Sequence, residues 1–185
     1  QAFHRSFFPN YQALLASHLD QSAAANYEYV KHFDRAYRSG PGYLGVTLDK
    51  ATSSNADGMS WAHGQSIRIA TARNVDFSRG GTSFQFQHLS EFAFWPQAEA
   101  TMRGLGQTIP TLAGTIQIIE SSANGMGGLF YELWMDSQRK DSDYFSLFFS
   151  WWQHPEYRMP VEEPARFQES LTRQERELQT QYQLI

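Results

Sequence analysis

The sequence predicts an α/β fold built on an open, largely parallel β-sheet. Three short segments, at residues 11–17, 84–89 and 115–120, are typical of strands, and the second alternates apolar and polar residues as a half-buried strand does. Between them lie residues 21–38, which show helical periodicity, and a second helical segment that opens at Pro96. Strands that alternate with helices favour parallel pairing, because the helices supply the crossover connections.

The first half of the chain predicts a strand, a helix and a hairpin. Asp20 can cap the helix, since its carboxylate accepts a hydrogen bond from an unpaired backbone N–H. Apolar side chains then recur every three to four residues until Arg38, and Ser39 to Gly42 ends the helix. The remaining segments predicted in this half are a strand over 43–49, a polar loop over 51–58, and a hairpin that joins 59–62 to 66–70.

The second half predicts further helices and strands and a change of composition. Pro96 suits the first turn of a helix over about 96–106, because its missing N–H would be unpaired there. A helix over about 129–137, a strand over 144–149 and a helix over 171–185 follow. After Pro155 the composition shifts to proline, glutamate and arginine. We therefore expect one domain over 1–158, and a linker or helical start of another region over 159–185.

Composition excludes several classes of function. The chain of 185 residues is 41% hydrophobic and 18% charged, which fits one ordinary folded domain. It contains no cysteine, so disulfides, thiolate metal sites and cysteine nucleophiles are excluded. The formal charge of −4 gives no overall basic footprint for nucleic acid. No apolar run approaches the roughly 20 residues that span a bilayer, and we expect no membrane contact.

Polar side chains follow two of the predicted strands. Glu91 comes directly after the strand at 84–89, and Ser121, Ser122 and Asn124 follow the strand at 115–120. In an open α/β sheet, ligands bind at the carboxyl ends of the strands. An acid there can hold magnesium or an attacking water, and hydroxyl and amide groups can report on a phosphate. Each segment alone also fits a plain strand-to-helix loop, with Asn124 as a helix cap.

Taken together, four blocks closely resemble the large terminase subunit of tailed bacteriophages. They occur in the same order and at similar spacing as in that family, between about Tyr11 and Arg158. The blocks are His-Leu-Ser-Glu-Phe-Ala-Phe-Trp-Pro at 88–96, Ile-Glu-Ser-Ser-Ala-Asn-Gly at 119–125, Phe-Tyr-Glu-Leu-Trp at 130–134 and Trp-Trp-Gln-His-Pro-Glu-Tyr-Arg at 151–158.

The resemblance implies a RecA-like P-loop NTPase fold of the ASCE class, with a sheet and flanking helices. It also implies that the complete protein hydrolyses ATP with Mg²⁺. Glu91 matches the Walker B catalytic glutamate, which would orient water for attack on the γ-phosphate. The preceding family position is often an aspartate that supports magnesium. Here it is Ser90, whose neutral hydroxyl would hold the metal only weakly, through water.

The resemblance also implies a coupling segment and an arginine finger. Ser121, Ser122 and Asn124 match the coupling motif, which links hydrolysis to movement of the DNA-gripping parts. The loop at 76–81 looks like the segment that supplies an arginine to a neighbouring subunit's nucleotide, which makes Arg79 the candidate finger. Arg73 is the rival candidate, and a plain surface role for Arg79 stays open.

The phosphate-binding loop itself, G-x-x-x-x-G-K-[ST], does not occur in the chain. By the resemblance it lies upstream of Gln1, so the fold is expected to lack the Walker A strand, loop and helix, and the isolated chain to be inactive. The implied partners are double-stranded DNA, the portal protein, the small terminase subunit and further copies of the chain. The resemblance implies that these copies form a ring on the procapsid in the host cytoplasm.

Two rival functions remain open. One is a fragment of another P-loop translocase or helicase, against which the blocks at 130–134 and 151–158 argue. The other is a non-enzymatic, aromatic-rich interaction module in which Glu91 and Asn124 are merely structural. A further question concerns the strand at 84–89, where Gln85 and Gln87 need polar partners if both faces of that strand are covered.

Overall fold

The fold is an α/β arrangement with one six-stranded mixed sheet, seen in a computed structural model that describes residues 8–39, 50–73, 82–139, 142–154, 156–157 and 159–182. The strand order is β2-β3-β4-β1-β5-β6. The strands are β1 (Gln12–Ser17), β2 (Ser53–Asn55), β3 (Gly58–Ser60), β4 (Ser66–Thr71), β5 (Phe86–Ser90) and β6 (Ile116–Glu120).

The described residues also form five α-helices and two single turns of 3-10 helix. The α-helices are α1 (Asp20–Ser39), α2 (Ala98–Gly106), α3 (Leu129–Arg139), α4 (Pro164–Ser170) and α5 (Arg173–Tyr182). The 3-10 turns span Phe92–Phe94 and Trp151–Gln153. The α/β class with flanking helices, predicted from the sequence, is confirmed.

The parallel part of the sheet consists of β4, β1, β5 and β6. Strand β3 pairs antiparallel with β4, and β2 pairs antiparallel with β3, so the predicted hairpin is present and the sheet is mixed. The carboxyl ends of the four parallel strands meet at one edge. Their last residues, Thr71, Ser17, Ser90 and Glu120, stand side by side in register.

Two apolar clusters cover the two faces of the sheet. On one face, α1 packs Tyr27 and Val30 against side chains such as Leu15 and Ile67. On the other face, Leu14 and Leu89 pack against a second cluster, whose further buried members are Ala16, Ala72, Phe84, Phe92, Trp95 and Leu105. Alternate residues of β1 therefore serve opposite clusters, as the two-residue period of a strand requires.

The glutamines of the β5 region have polar partners, which answers the question raised by their alternation with apolar residues. Gln87 is fully buried, and its amide donates to Thr108 Oγ1 at 3.0 Å. Gln117 of β6 donates to Gln87 Oε1 at 2.7 Å. Gln85 lies just before β5, and its Oε1 accepts from the backbone N–H of Gln12 at 2.7 Å. Both side chains thus replace their lost contacts with water.

Two expectations about secondary structure were wrong. The segment 51–58 is not only a loop, since β2 occupies part of it and pairs with β3. Residues 144–149 do not form a strand, although their aromatic composition favours one. A strand needs a neighbouring strand for its backbone hydrogen bonds, and no described strand is aligned with this segment in the sheet. The strand expected at 43–49 lies outside the described residues.

The chain divides into two compact units, Gln1–Ser142 and Asp143–Ile185. The first contains the whole sheet with α1, α2 and α3. The second contains α4 and α5, where Trp152 stacks on Tyr182 with ring centroids 4.3 Å apart. The expected domain limit at residue 158 stays a prediction. Among the described helices, none combines the length and apolar character needed to cross a membrane.

Candidate functional site

The candidate site lies just beyond the carboxyl ends of β5 and β6. These strands are parallel neighbours with Ser90 opposite Glu120, so the residues that follow them start from adjacent points. Glu91 follows β5, and Ser121, Ser122 and Asn124 follow β6. The two polar segments that the sequence singled out therefore meet at one edge of the sheet.

Glu91 stands at a sharp turn between β5 and the 3-10 turn at Phe92–Phe94. Its backbone has φ 54° and ψ 42°, the left-handed region that side chains with a Cβ seldom adopt. This conformation costs on the order of 1 kcal/mol, so the surroundings must impose it. Phe92 and Trp95 are buried directly after it, and the indole N–H of Trp95 donates to the Ser90 carbonyl at 3.0 Å.

The loop after β6 touches the Glu91 carboxylate directly. Ser122 Oγ donates to Glu91 Oε2 at 3.1 Å, and Ser121 Oγ lies 3.5 Å from the same oxygen. The loop also reaches the backbone two residues further on, where Ala93 donates its N–H to Ser121 Oγ at 3.2 Å and the Asn124 amide donates to the Ala93 carbonyl at 3.0 Å. A partly exposed carboxylate held by hydroxyls can accept a proton from water or orient it.

Glu120 is a second carboxylate at this edge, which the sequence analysis did not single out as a site residue. His88 bonds to its side chain, with His88 Nε2 3.5 Å from Glu120 Oε1. That contact, together with hydrogen bonds from the Ser90 hydroxyl and the Glu91 backbone, holds the pKa of Glu120 below its usual range. The signal available in the sequence was its place as the last residue of the clearest strand.

His18 is a further residue of this edge that the sequence analysis missed. It directly follows β1, the neighbour of β5, and its ring lies 5.8 Å from that of Phe94. Phe94 is 38% exposed and belongs to the 3-10 turn that directly follows Glu91 in the chain. The sequence offered no specific signal for His18, since a lone histidine after a strand is common.

The candidate arginines do not join this description. Arg79 lies outside the described residues, and its role as a finger stays a prediction. Arg73 is exposed and follows β4, two strands away from β5. Ser90 does lie at the edge, as expected, and its hydroxyl bonds to Glu120.

The donor atoms here suit magnesium only with help from other ligands. Glu91 directly follows β5, Glu120 ends β6, and the Ser90 hydroxyl bonds to Glu120. In proteins, Mg²⁺ binds through one or two carboxylates plus phosphate oxygens and water. Among the described residues, no group of three or more histidine, aspartate or glutamate side chains is placed to hold a metal alone.

Comparisons with known proteins show a similarity to a solved structure. No protein-family model and no curated protein matches the chain. Among solved structures, the chain is similar to the large terminase ATPase domain of Thermus phage P74-26, with 20% identity and a TM-score of 0.41. The match covers 68% of this chain and 53% of that domain, so the chain spans about half of its length.

Proposed function

We propose that this chain is part of the ATPase motor of a viral large terminase, which hydrolyses ATP to drive double-stranded DNA into a procapsid. The observation that carries the proposal is the meeting of the Glu91 carboxylate with the hydroxyls of Ser121 and Ser122 at the carboxyl edge of two parallel strands. This is the edge at which open α/β sheets bind their ligands.

Glu91 is the proposed catalytic residue. Its carboxylate lies at the sheet edge, where it would orient a water molecule and accept its proton during attack on the γ-phosphate. The left-handed backbone at Glu91 supports this role, because such strain persists where the fold over-determines a side-chain position and is concentrated at functional sites.

Ser121, Ser122 and Asn124 are the proposed sensing and coupling residues, and Arg79 is the proposed finger. Mg²⁺ bound with ATP would lie near Glu120 and Ser90 and would neutralise charge on the phosphates. Glu120 adds to this edge the negative charge that the serine at position 90 does not supply.

The free edge of β6 supports the expectation that the nucleotide-binding part is contributed by further residues. Within the described residues, β6 pairs only with β5, and its other edge carries no neighbouring strand. Ile116, Ile118 and Ile119 of this edge strand remain partly exposed, although each packs against an apolar cluster. We propose that the strand preceding the phosphate-binding loop adds here, which would place its loop opposite Glu91 and Ser122.

The wider assembly follows from the same proposal. The complete protein would act on double-stranded DNA in the host cytoplasm, as a ring of identical subunits on the procapsid. It would work with the portal protein and the small terminase subunit. Residues 159–185 would then lead towards a further region.

The decisive experiment measures ATP hydrolysis by the complete protein and its Glu91→Gln variant. We expect kcat to fall by about 100-fold or more while ATP binding stays within about threefold, because glutamine cannot accept the proton. Glu99→Gln is the matched control, since Glu99 is an exposed glutamate of α2. If Glu91→Gln keeps kcat within twofold of the control, the proposal is wrong.

A second experiment tests the isolated chain of residues 1–185. We expect no tight binding of ATP and no measurable turnover, because the chain contains no phosphate-binding loop. Detectable turnover by the purified chain would contradict this.

A further inference from the structure

The single turn of 3-10 helix at Phe92–Phe94 leaves two backbone groups of Ala93 without partners in its own turn. Within the turn, Phe94 donates its N–H to the Glu91 carbonyl and Trp95 donates to the Phe92 carbonyl. The N–H of Ala93 at the start and its carbonyl at the end belong to the groups that a helix terminus cannot satisfy. Unsatisfied polar groups of this kind need external partners when water is excluded.

The loop after β6 supplies both partners. Ser121 Oγ accepts from the Ala93 N–H at 3.2 Å, and Asn124 Nδ2 donates to the Ala93 carbonyl at 3.0 Å. The same Ser121 hydroxyl lies 3.5 Å from Glu91 Oε2, so it can accept from the backbone while it donates to the carboxylate. Two side chains of one loop thus hold one residue from both sides, two positions after Glu91.

We infer that Ser121 and Asn124 are positioning residues, which fix the turn that carries Glu91. When their loop is displaced, the Glu91 carboxylate moves away from its catalytic position. This inference rests on the proposed function of Glu91 and deepens it. It gives the coupling segment a specific physical role, because the loop acts on the carboxylate through the backbone of Ala93, in addition to the direct contact from Ser122.

The loop after β6 is exposed, whereas the aromatic residues that follow Glu91 are buried. Phe92 is fully buried and Trp95 is 5% exposed, whereas Asn124 is exposed. Gly125 and Gly128 follow with φ of +81° and +80°, and no atom within 4 Å meets the position of an added Cβ at either. A displacement of the amino end of α3 would act on Ser121 and Asn124, because both lie in the loop between β6 and α3.

The first test compares Ser121→Ala and Asn124→Ala in the complete protein by ATPase kinetics. Misplacement of a catalytic group by about 1 Å can cost on the order of 100-fold. We expect kcat to fall between about 10-fold and 100-fold in each variant, with KM for ATP within about threefold. Ser121→Thr keeps the hydroxyl and should retain kcat within about threefold.

Two matched controls remove hydrogen bonds of similar type elsewhere. Ser137→Ala deletes a half-buried serine hydroxyl that bonds within α3, and Asn55→Ala deletes an exposed asparagine that bonds to the Asp57 backbone. Both should leave kcat within twofold of wild type. If Ser121→Ala and Asn124→Ala behave like these controls, the inference is overturned. It is also overturned if KM rises at unchanged kcat, because the two residues would then contact the nucleotide itself.

A second readout keeps the inference separate from the proposed function. Amide hydrogen exchange at Ala93 should be at least about tenfold faster in Ser121→Ala than in wild type or Ser121→Thr, because the N–H loses its acceptor. This holds whether or not the complete protein hydrolyses ATP. Faster exchange without any wild-type ATPase would support the hold on Ala93 and refute the role of Glu91. Unchanged exchange refutes the hold on Ala93.

Discussion

The two strand ends that form the site differ in how firmly they are held. After β5, the chain turns through Glu91 into Phe92 and Trp95, which are buried in the apolar cluster, and the Trp95 indole bonds back to Ser90. After β6, the chain runs through exposed residues from Ser122 to Gly128 before α3 begins. One end is a rigid platform, and the other is an open loop that contacts it.

This difference assigns the two ends different roles. Catalytic geometry requires a fixed carboxylate, and buried aromatic side chains fix the turn on which Glu91 lies. A segment that responds to a ligand or to movement needs few buried contacts and exposed hydrogen bonds. The site therefore combines a turn anchored by buried aromatic side chains with an exposed loop that bonds to it.

The largest expected difference between the two ends concerns stability. Phe92→Ala removes a fully buried ring and should lower the free energy of unfolding by about 3–5 kcal/mol. Met126→Ala, in the loop after β6, removes a side chain that is 87% exposed and should change it by less than about 0.5 kcal/mol. Urea unfolding measures both, with Phe92→Leu as a milder replacement if the alanine variant does not fold. Similar costs for Phe92→Ala and Met126→Ala would show that the β5 end is not the rigid one.

The second prediction concerns the hydrogen bonds that join Gln87 of β5 to Gln117 of β6 and to Thr108. Gln87→Leu should cost about 1–3 kcal/mol, because it leaves the amide of Gln117 without its buried acceptor. The double replacement of Gln87 and Gln117 by leucine should cost less than the sum of the two single ones, measured as a double-mutant cycle. Simple additivity would mean that the two amides do not interact.

The loop after β6 requires a left-handed backbone at Gly128, and a comparison with Gly127 measures the effect of that requirement on stability. Gly128→Ala should cost about 1 kcal/mol, because its φ of +80° is unfavourable for a residue with a Cβ. Gly127→Ala should cost less, since its φ lies outside that region and an added Cβ meets no atom within 4 Å. Chemical denaturation of the two variants measures the difference. Equal costs would mean that the left-handed turn is not kept in solution.

The smallest expected effect is the pH dependence of Glu120. Its pKa is lowered chiefly by the hydrogen bond from His88, so the carboxylate should titrate below 4.5, its ordinary value. Because the folded-state pKa is the lower one, the stabilisation is complete above the unfolded value and is lost as the pH falls through the folded one. NMR titration of the Glu120 carboxyl measures this. A midpoint at or above 4.5 would show that Glu120 does not take part in the hydrogen bonds that link the two strand ends.

The strands β1, β5 and β6 and the helices α1, α2 and α3 were predictable from sequence, because their apolar periodicity is decided locally. The strand expected at 144–149 was not correct, since its composition favours a strand but cannot supply a hydrogen-bonding neighbour. For the site, Glu91 and Asn124 were predicted as candidate residues from their positions after strands. The hydrogen bonds to Ala93 were not predictable, because they depend on a single 3-10 turn that leaves the N–H and the carbonyl of Ala93 without partners within the turn.

The sequence by itself determined which residues follow which strands, and with that the chemical types present at the sheet edge, which are carboxylates, hydroxyls and an amide. Only the tertiary structure decided that β5 and β6 are neighbours, that Ser90 stands opposite Glu120, and that Ser122 reaches the Glu91 carboxylate. The physical reason is that strand order and register are set by packing on both faces of the sheet. Such packing joins residues about 30 positions apart, beyond the range of any local pattern.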